Sequence, residues 1–152
     1  MAVRVLFVCT GNTCRSIMAE ALARKALIAR GKEPEIQVFS AGTAALPNAG
    51  ASEEAVAVMQ EMGADLRQHK ATLLTSQVIK EADLVLTMTR DHKEQVKQLL
   101  PDAGGKVFSL AEFAGSGADI VDPFGRSVEL YRQCAADLRY LISLVLDKLL
   151  VS

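Results

Sequence analysis

The chain has no tryptophan, and aromatic residues fill only 5% of its 152 positions. A core without large rings has to be built mostly from Ala, Leu and Val, which the 50% apolar content supplies. Three cysteines, Cys9, Cys14 and Cys134, are an odd number without metal-ligand spacing, which excludes a disulfide framework and a zinc site. The two histidines, His69 and His92, stand in no cluster of metal ligands, so neither a metal nor another cofactor is expected. Neither charge sign dominates: 17 Lys+Arg against 18 Asp+Glu leave a net charge of -1. That balance gives no electrostatic case for nucleic acid or an anionic membrane as a partner. No apolar run approaches the roughly 20 residues of a membrane span, and the N-terminal run is too short for a signal-peptide core. Unpaired thiols and no leader fit a reducing cytoplasm, and the length fits one domain over residues 1–152.

What is present is a strict alternation of short apolar runs and helical patterns. Val3–Val8, Ile36–Phe39, Leu84-Val85-Leu86 within Asp83–Thr89, and Lys106–Leu110 read as strands. Helices are expected from Ser16 to about Ala29, Ser52 to Met62, Thr75 to Ala82, Asp91 to Leu100, and Ser127 or Val128 to Leu150. Residues 66–74 and 110–122 read as loops. The last helix shows an apolar stripe of Leu130, Cys134, Leu138, Leu141, Val145 and Leu149. The alternation predicts an α/β fold of three layers, a parallel sheet with helices on both faces, doubly wound in the flavodoxin-like manner. Ligands of such sheets sit beyond the C-terminal ends of the strands.

Beyond the first strand lies Cys9-Thr10-Gly11-Asn12-Thr13-Cys14-Arg15-Ser16. A thiol at a strand end, a loop of small residues, an arginine and a helix start make a cradle for a phosphate group. Loop amides from Thr10 to Arg15 can turn inward, and the helix adds its positive end. Gly11 and Asn12 tolerate the positive φ that such a turn needs. Arg15 binds two oxygens at once through its planar fork, which lysine cannot do. The same positive surroundings favour a thiolate, the form in which a cysteine attacks phosphorus. Ser16 is placed to cap the helix and to donate to the departing sulfur. A leaving group also needs a proton, and Asp122, stiffened by Pro123 ahead of the last helix, is the carboxylate placed to give it.

These motifs, together with Met18-Ala19-Glu20, Ser40-Ala41-Gly42 and Asp122-Pro123-Phe124, resemble those of the low-molecular-weight protein tyrosine phosphatases over essentially the whole chain. The resemblance implies a four-stranded parallel sheet and a two-step reaction without metal: Cys9 attacks phosphorus, Asp122 protonates the leaving group, and Asp122 then activates water. Within that family the chain is most similar to the bacterial protein arginine phosphatases, because Thr13 stands where tyrosine-directed members carry a larger aliphatic residue, and Phe124 where they often carry Tyr. Ile17 departs from the proline that many members have. The resemblance also implies that His69 lies behind the loop, with Ser40 and His69 holding Asn12 in a left-handed conformation. Phosphorylated proteins are the implied partners, and oligomeric state is left open.

Rival readings are a tyrosine phosphatase of the same fold and a non-hydrolytic phosphocysteine carrier, which requires neither the arginine nor the Asp-Pro acid. An arsenate reductase needs further redox cysteines, and none lies between Cys14 and Cys134. Cys9 and Cys14 bracket one loop and form a candidate redox pair. His92 reads as a solvated helix start, Cys134 as core packing, and Tyr131 and Tyr140 as ordinary residues of the last helix.

Overall fold

The computed structural model describes residues 2–151. Its centre is β1, Val3–Cys9, which pairs in parallel with β2, Ile36–Gly42, on one side and with β3, Leu84–Thr87, on the other. β4, Val107–Ser109, extends the sheet beyond β3, giving the order β2-β1-β3-β4 with every pair parallel. The chain moves outward from β1 to β2, then returns to the far side for β3. That reversal creates the switch point beside the end of β1 at which a doubly wound sheet opens a crevice. The three-layer, flavodoxin-like arrangement is therefore present.

Alternation along β1 explains why both faces need cover. Val5 and Phe7 point into one core with α1 (Arg15–Ala29), α2 (Glu53–Glu61) and α6 (Val128–Leu149). Leu6 and Val8 point into the other, with α3 (Ser76–Lys80) and α4 (Arg90–Leu99). A side chain such as Phe7 or Leu6 buried in this way contributes about 1.5–3 kcal/mol. No helix among the described residues is long and apolar enough to cross a membrane.

Several boundaries differ from the sequence expectation. β2 runs on to Gly42 because Phe7, Val8 and Cys9 pair with Ser40, Ala41 and Gly42. The expected loop at 110–122 opens with a helix, α5 (Leu110–Ala114). Ser109 and Glu112 cap it reciprocally, and Gly115 ends it at φ 73°. Pro101–Lys106 forms a 3-10 helix before β4. On α6 the buried stripe begins at Tyr131, not Leu130, which is exposed. The helical period carries Tyr131, Cys134, Ala135, Leu138, Leu141, Ile142, Val145 and Leu146 to one face, and Leu130 falls one position off it.

Candidate active site

Cys9 ends β1, and the chain turns at once through residues 10–14 into α1, which begins at Arg15. Cys14 occupies the N-cap position and makes no side-chain cap bond, so Ser16 lies inside the first turn and is not the cap. Its hydroxyl is engaged elsewhere. Asn12 Nδ2 donates to Ser16 Oγ at 2.8 Å, and Ser16 Oγ stands 2.9 Å from Cys9 Sγ. Since the hydroxyl oxygen already accepts from the amide, its own hydrogen is available to the sulfur. The backbone N–H groups of residues 10–14 donate to no acceptor among the described residues, which leaves them available to an anion.

Asn12 carries the loop. It is fully buried and adopts φ 56°, a left-handed conformation that asparagine tolerates better than most side chains. Its amide nitrogen also donates to Ser40 Oγ at 2.9 Å, and Ser40 passes its hydrogen to Glu20 Oε1 at 2.7 Å. Its side-chain oxygen accepts from the Thr72 amide at 2.9 Å. Its backbone carbonyl stands 2.7 Å from His69 Nε2, which must carry the proton because a carbonyl only accepts. Ser40 therefore bonds the Asn12 side chain, whereas His69 bonds its main chain. A line of donors runs from Asn12 outward to Glu20 and inward through Ser16 to the Cys9 sulfur.

Gly42 closes the loop from β2. A Cβ there would lie 2.4 Å from the Thr10 carbonyl oxygen and 2.8 Å from the Asn12 nitrogen, so only glycine lets the two backbones approach. The Thr43 and Ala44 amides then bond the carbonyls of Cys9 and Thr10, each at 2.9 Å.

Arg15 is 5% exposed. One guanidinium nitrogen donates to the Ile120 carbonyl at 2.9 Å, and the other stands 3.6 Å from Asp122 Oδ2. The Ile120 amide in turn bonds the Met88 carbonyl just past β3, which ties the Asp122 loop to the sheet. Asp122 itself is half-exposed, and its Oδ1 accepts from the Phe124 amide at 3.0 Å. Cys9, Thr10, Gly11, Thr13, Cys14, Arg15, Asp122 and Phe124 all line one pocket of about 330 Å³, with Ala44, Leu46 and Ala49 adding an apolar wall. Asn12, Ser16, Ser40 and His69 lie behind it, within the hydrogen-bond network around Asn12.

His92 is not solvated. It is 5% exposed, caught between Thr10 Oγ1 and Thr89 Oγ1 at 2.9 Å each. Burial and the nearby Arg15 cation push its pKa down to about 4, so the ring is neutral near pH 7. Cys134 packs in the core, where burial lifts its thiol to about 12. Tyr131 is fully buried with its hydroxyl 3.2 Å from Ser52 Oγ and 3.6 Å from Cys14 Sγ. Burial raises its pKa as well. The Ser52 amide bonds the Thr13 carbonyl at 2.9 Å, so α2 and α6 brace the outer half of the loop. Gly42, Glu20 and Ser40 fall within runs legible in the sequence. The Thr72 amide and Ile120 carbonyl are backbone groups that no side-chain pattern announces. Among the described residues, no three His, Cys, Asp or Glu side chains gather as metal ligands would.

A buried thiol at the end of a parallel strand, open amides and a buried arginine around it, and a carboxylate facing that arginine define a cysteine-dependent phosphatase. The chain belongs to the low-molecular-weight phosphotyrosine protein phosphatase family, whose model matches residues 4–150. It is 40% identical to a protein-arginine-phosphatase of Geobacillus stearothermophilus over 98% of this chain and 97% of that one. A protein-arginine-phosphatase of Bacillus subtilis is 42% identical over 91% of each chain. The crystal structure of a low-molecular-weight protein tyrosine phosphatase from T. tengcongensis superposes with a TM-score of 0.92 at 41% identity, over 97% of this chain and 99% of that one.

Proposed function

We propose that the protein hydrolyses phosphoarginine on proteins, acting as one domain over residues 1–152. The observation that carries this reading is Thr13, a short hydroxylic side chain on the wall of the pocket that also holds Cys9, Arg15 and Asp122. A phosphoguanidinium is polar and branched, and the short Thr13 side chain lines the same pocket as the Asp122 carboxylate. The two protein-arginine-phosphatases at 40–42% identity support the same choice.

In the first step the Cys9 thiolate attacks phosphorus and the P–N bond breaks. Arg15 and the open amides hold the three equatorial oxygens, and Asp122 gives its proton to the departing guanidine nitrogen. In the second step the Asp122 carboxylate takes a proton from water as that water attacks the phosphocysteine. The S–P bond breaks, phosphate leaves, and the Ser16 hydroxyl stabilises the returning thiolate. Phosphotyrosine is the second reading, favoured by the exposed apolar rim of Leu46 and Phe124. A carrier that keeps its phosphate has no use for a carboxylate 3.6 Å from the phosphate-binding arginine. Comparing kcat/KM of the wild-type protein on phosphoarginine-bearing and phosphotyrosine-bearing peptides tests the choice: the arginine substrate should be preferred, and a preference for tyrosine selects the second reading.

The reading places the protein in the cytoplasm and makes Cys9 and Cys14 a redox pair, in which a Cys9 sulfenic acid condenses with the Cys14 thiol to a disulfide and releases water. Peroxide inactivation should then be reversed by a dithiol, and Cys14→Ser should lose that reversibility. Full recovery of the Cys14→Ser protein would remove the pair.

A further inference from the structure

His92 belongs to none of the motifs that mark the site, yet it is bonded to the residue next to the nucleophile. Its surroundings favour one place for its single ring proton. Thr89 caps α4 by accepting the His92 amide on Oγ1 at 3.1 Å. That hydroxyl therefore retains its own hydrogen, and the ring nitrogen facing it at 2.9 Å is Nδ1. A hydroxyl that gives its hydrogen to Nδ1 requires Nδ1 to be the bare nitrogen, which leaves the proton on Nε2. Nε2 then donates to Thr10 Oγ1 at 2.9 Å. The opposite tautomer would make Thr89 Oγ1 accept two N–H bonds and would draw the Thr10 hydrogen into the ring.

We propose that His92 is a positioning residue that acts through Thr10: by donating from Nε2 it fixes the Thr10 side chain and leaves the Thr10 hydroxyl hydrogen free to bond a phosphoryl oxygen in the pocket. Thr10 is suited to this. It lines the pocket, and its backbone is clamped from the other side by the Ala44 amide and the close approach of Gly42. Thr89 is itself held, since its carbonyl accepts from Thr87 Oγ1 at 2.6 Å at the end of β3. The relay thus couples the end of β3 and the start of α4 to the loop beyond β1. A ring that is neutral near pH 7 keeps one proton and one polarity, where a charged ring would donate at both nitrogens and reverse the Thr89 bond.

The inference rests on the cysteine-phosphatase class, not on the choice of phosphoarginine, so its kinetics are read with an aryl phosphate. Long-range 1H–15N spectra of the resting protein near neutral pH, assigned by the signal lost in His92→Gln, should show His92 as the Nε2–H tautomer. His92→Ala and Thr10→Val should each lower kcat/KM about 10-fold, the effect of one lost bond to a developing charge. The double variant should fall no further than the worse single variant. Thr10→Ser should recover most of what Thr10→Val loses. An Nδ1–H tautomer, losses that multiply to about 100-fold in the double variant, or Thr10→Val turning over at the wild-type rate overturns the proposal. If His92→Ala does not fold, the tautomer and the Val–Ser pair at position 10 carry the test. Absence of aryl phosphate turnover in the wild type would strike the class itself and leave the tautomer reading intact.

Discussion

The loop from Cys9 to Ser16 and the Asp122 loop, which share one proposed reaction, are built in opposite ways. In the first, Cys9, Asn12, Arg15 and Ser16 are all 5% exposed or less, and Asn12 alone is held by partners from β2, from the 66–74 segment and from α1. In the second, Val121 is 79% and Phe124 65% exposed, and the Asp122 side chain is half in solvent. The half proposed to bind phosphate is organised before a substrate arrives, as the proposal requires, because amides and a guanidinium stabilise a transferring phosphoryl group only if they need not rearrange. The half proposed to transfer the proton lies at the rim, where a leaving group and water can come and go. Substitutions in the first loop should therefore change stability and rate together, and those in the second should change rate alone.

The largest effect should follow loss of the proposed nucleophile. Cys9→Ser should reduce hydrolysis to background while the fold is kept, because the reaction has no other covalent path. Near-normal turnover would remove the mechanism. Arg15→Lys should lower kcat by roughly 100-fold, since lysine cannot hold two oxygens in a planar fork.

Asp122→Asn sharpens the comparison from the other side. It should slow a poor leaving group by roughly 100-fold or more and a good one far less. Its thermal midpoint should stay close to wild type, as expected of a rim substitution. Equal slowing of both substrates would show that Asp122 is not the acid. Asn12→Ala should do what Asp122→Asn does not: it should destabilise the protein by about 1–3 kcal/mol in denaturant titration, because buried partners are left unpaired, and also lower kcat. A stable but slow Asn12→Ala protein would break the contrast between the loops.

The smallest effect is on acid stability. His92 titrates near 6.5 in an ordinary setting and near 4 in the fold, so the unfolded chain binds its proton first. Stability from this group is complete above about 6.5 and is lost as pH falls toward about 4. His92→Gln should flatten the stability profile across that window, seen by denaturation at several pH values.

The buried loop was also the more legible one. Its residue types are dictated locally: glycine and asparagine for the turn, an arginine for the anion, an apolar strand before it and a helix after it. Ser40 and His69 are implied by family resemblance alone, since nothing near them in the chain refers to position 12. Arg90-Asp91-His92-Lys93 is polar on paper and reads as solvated, whereas His92 is buried. Burial there is set by β3 and the loop beyond β1, which lie far away in sequence. Ser109, Glu112 and Gly115 spell the start and stop of α5, a helix too short for an apolar period to mark. Tyr131 displaced Leu130 from the core because helix phase, which apolarity alone does not settle, decides which neighbour faces inward.

Thr13 offers the most direct test of what the pocket selects. Thr13→Ile adds apolar bulk and deletes a hydroxyl on the wall that Cys9, Arg15 and Asp122 share, without touching those three. The ratio of kcat/KM for phosphoarginine to that for phosphotyrosine peptides should fall by roughly 10–200-fold, the range open to one such change in a pocket, and aryl phosphate turnover should persist. A ratio equal to that of wild type, with the variant folded and active, would contradict Thr13 as the selector.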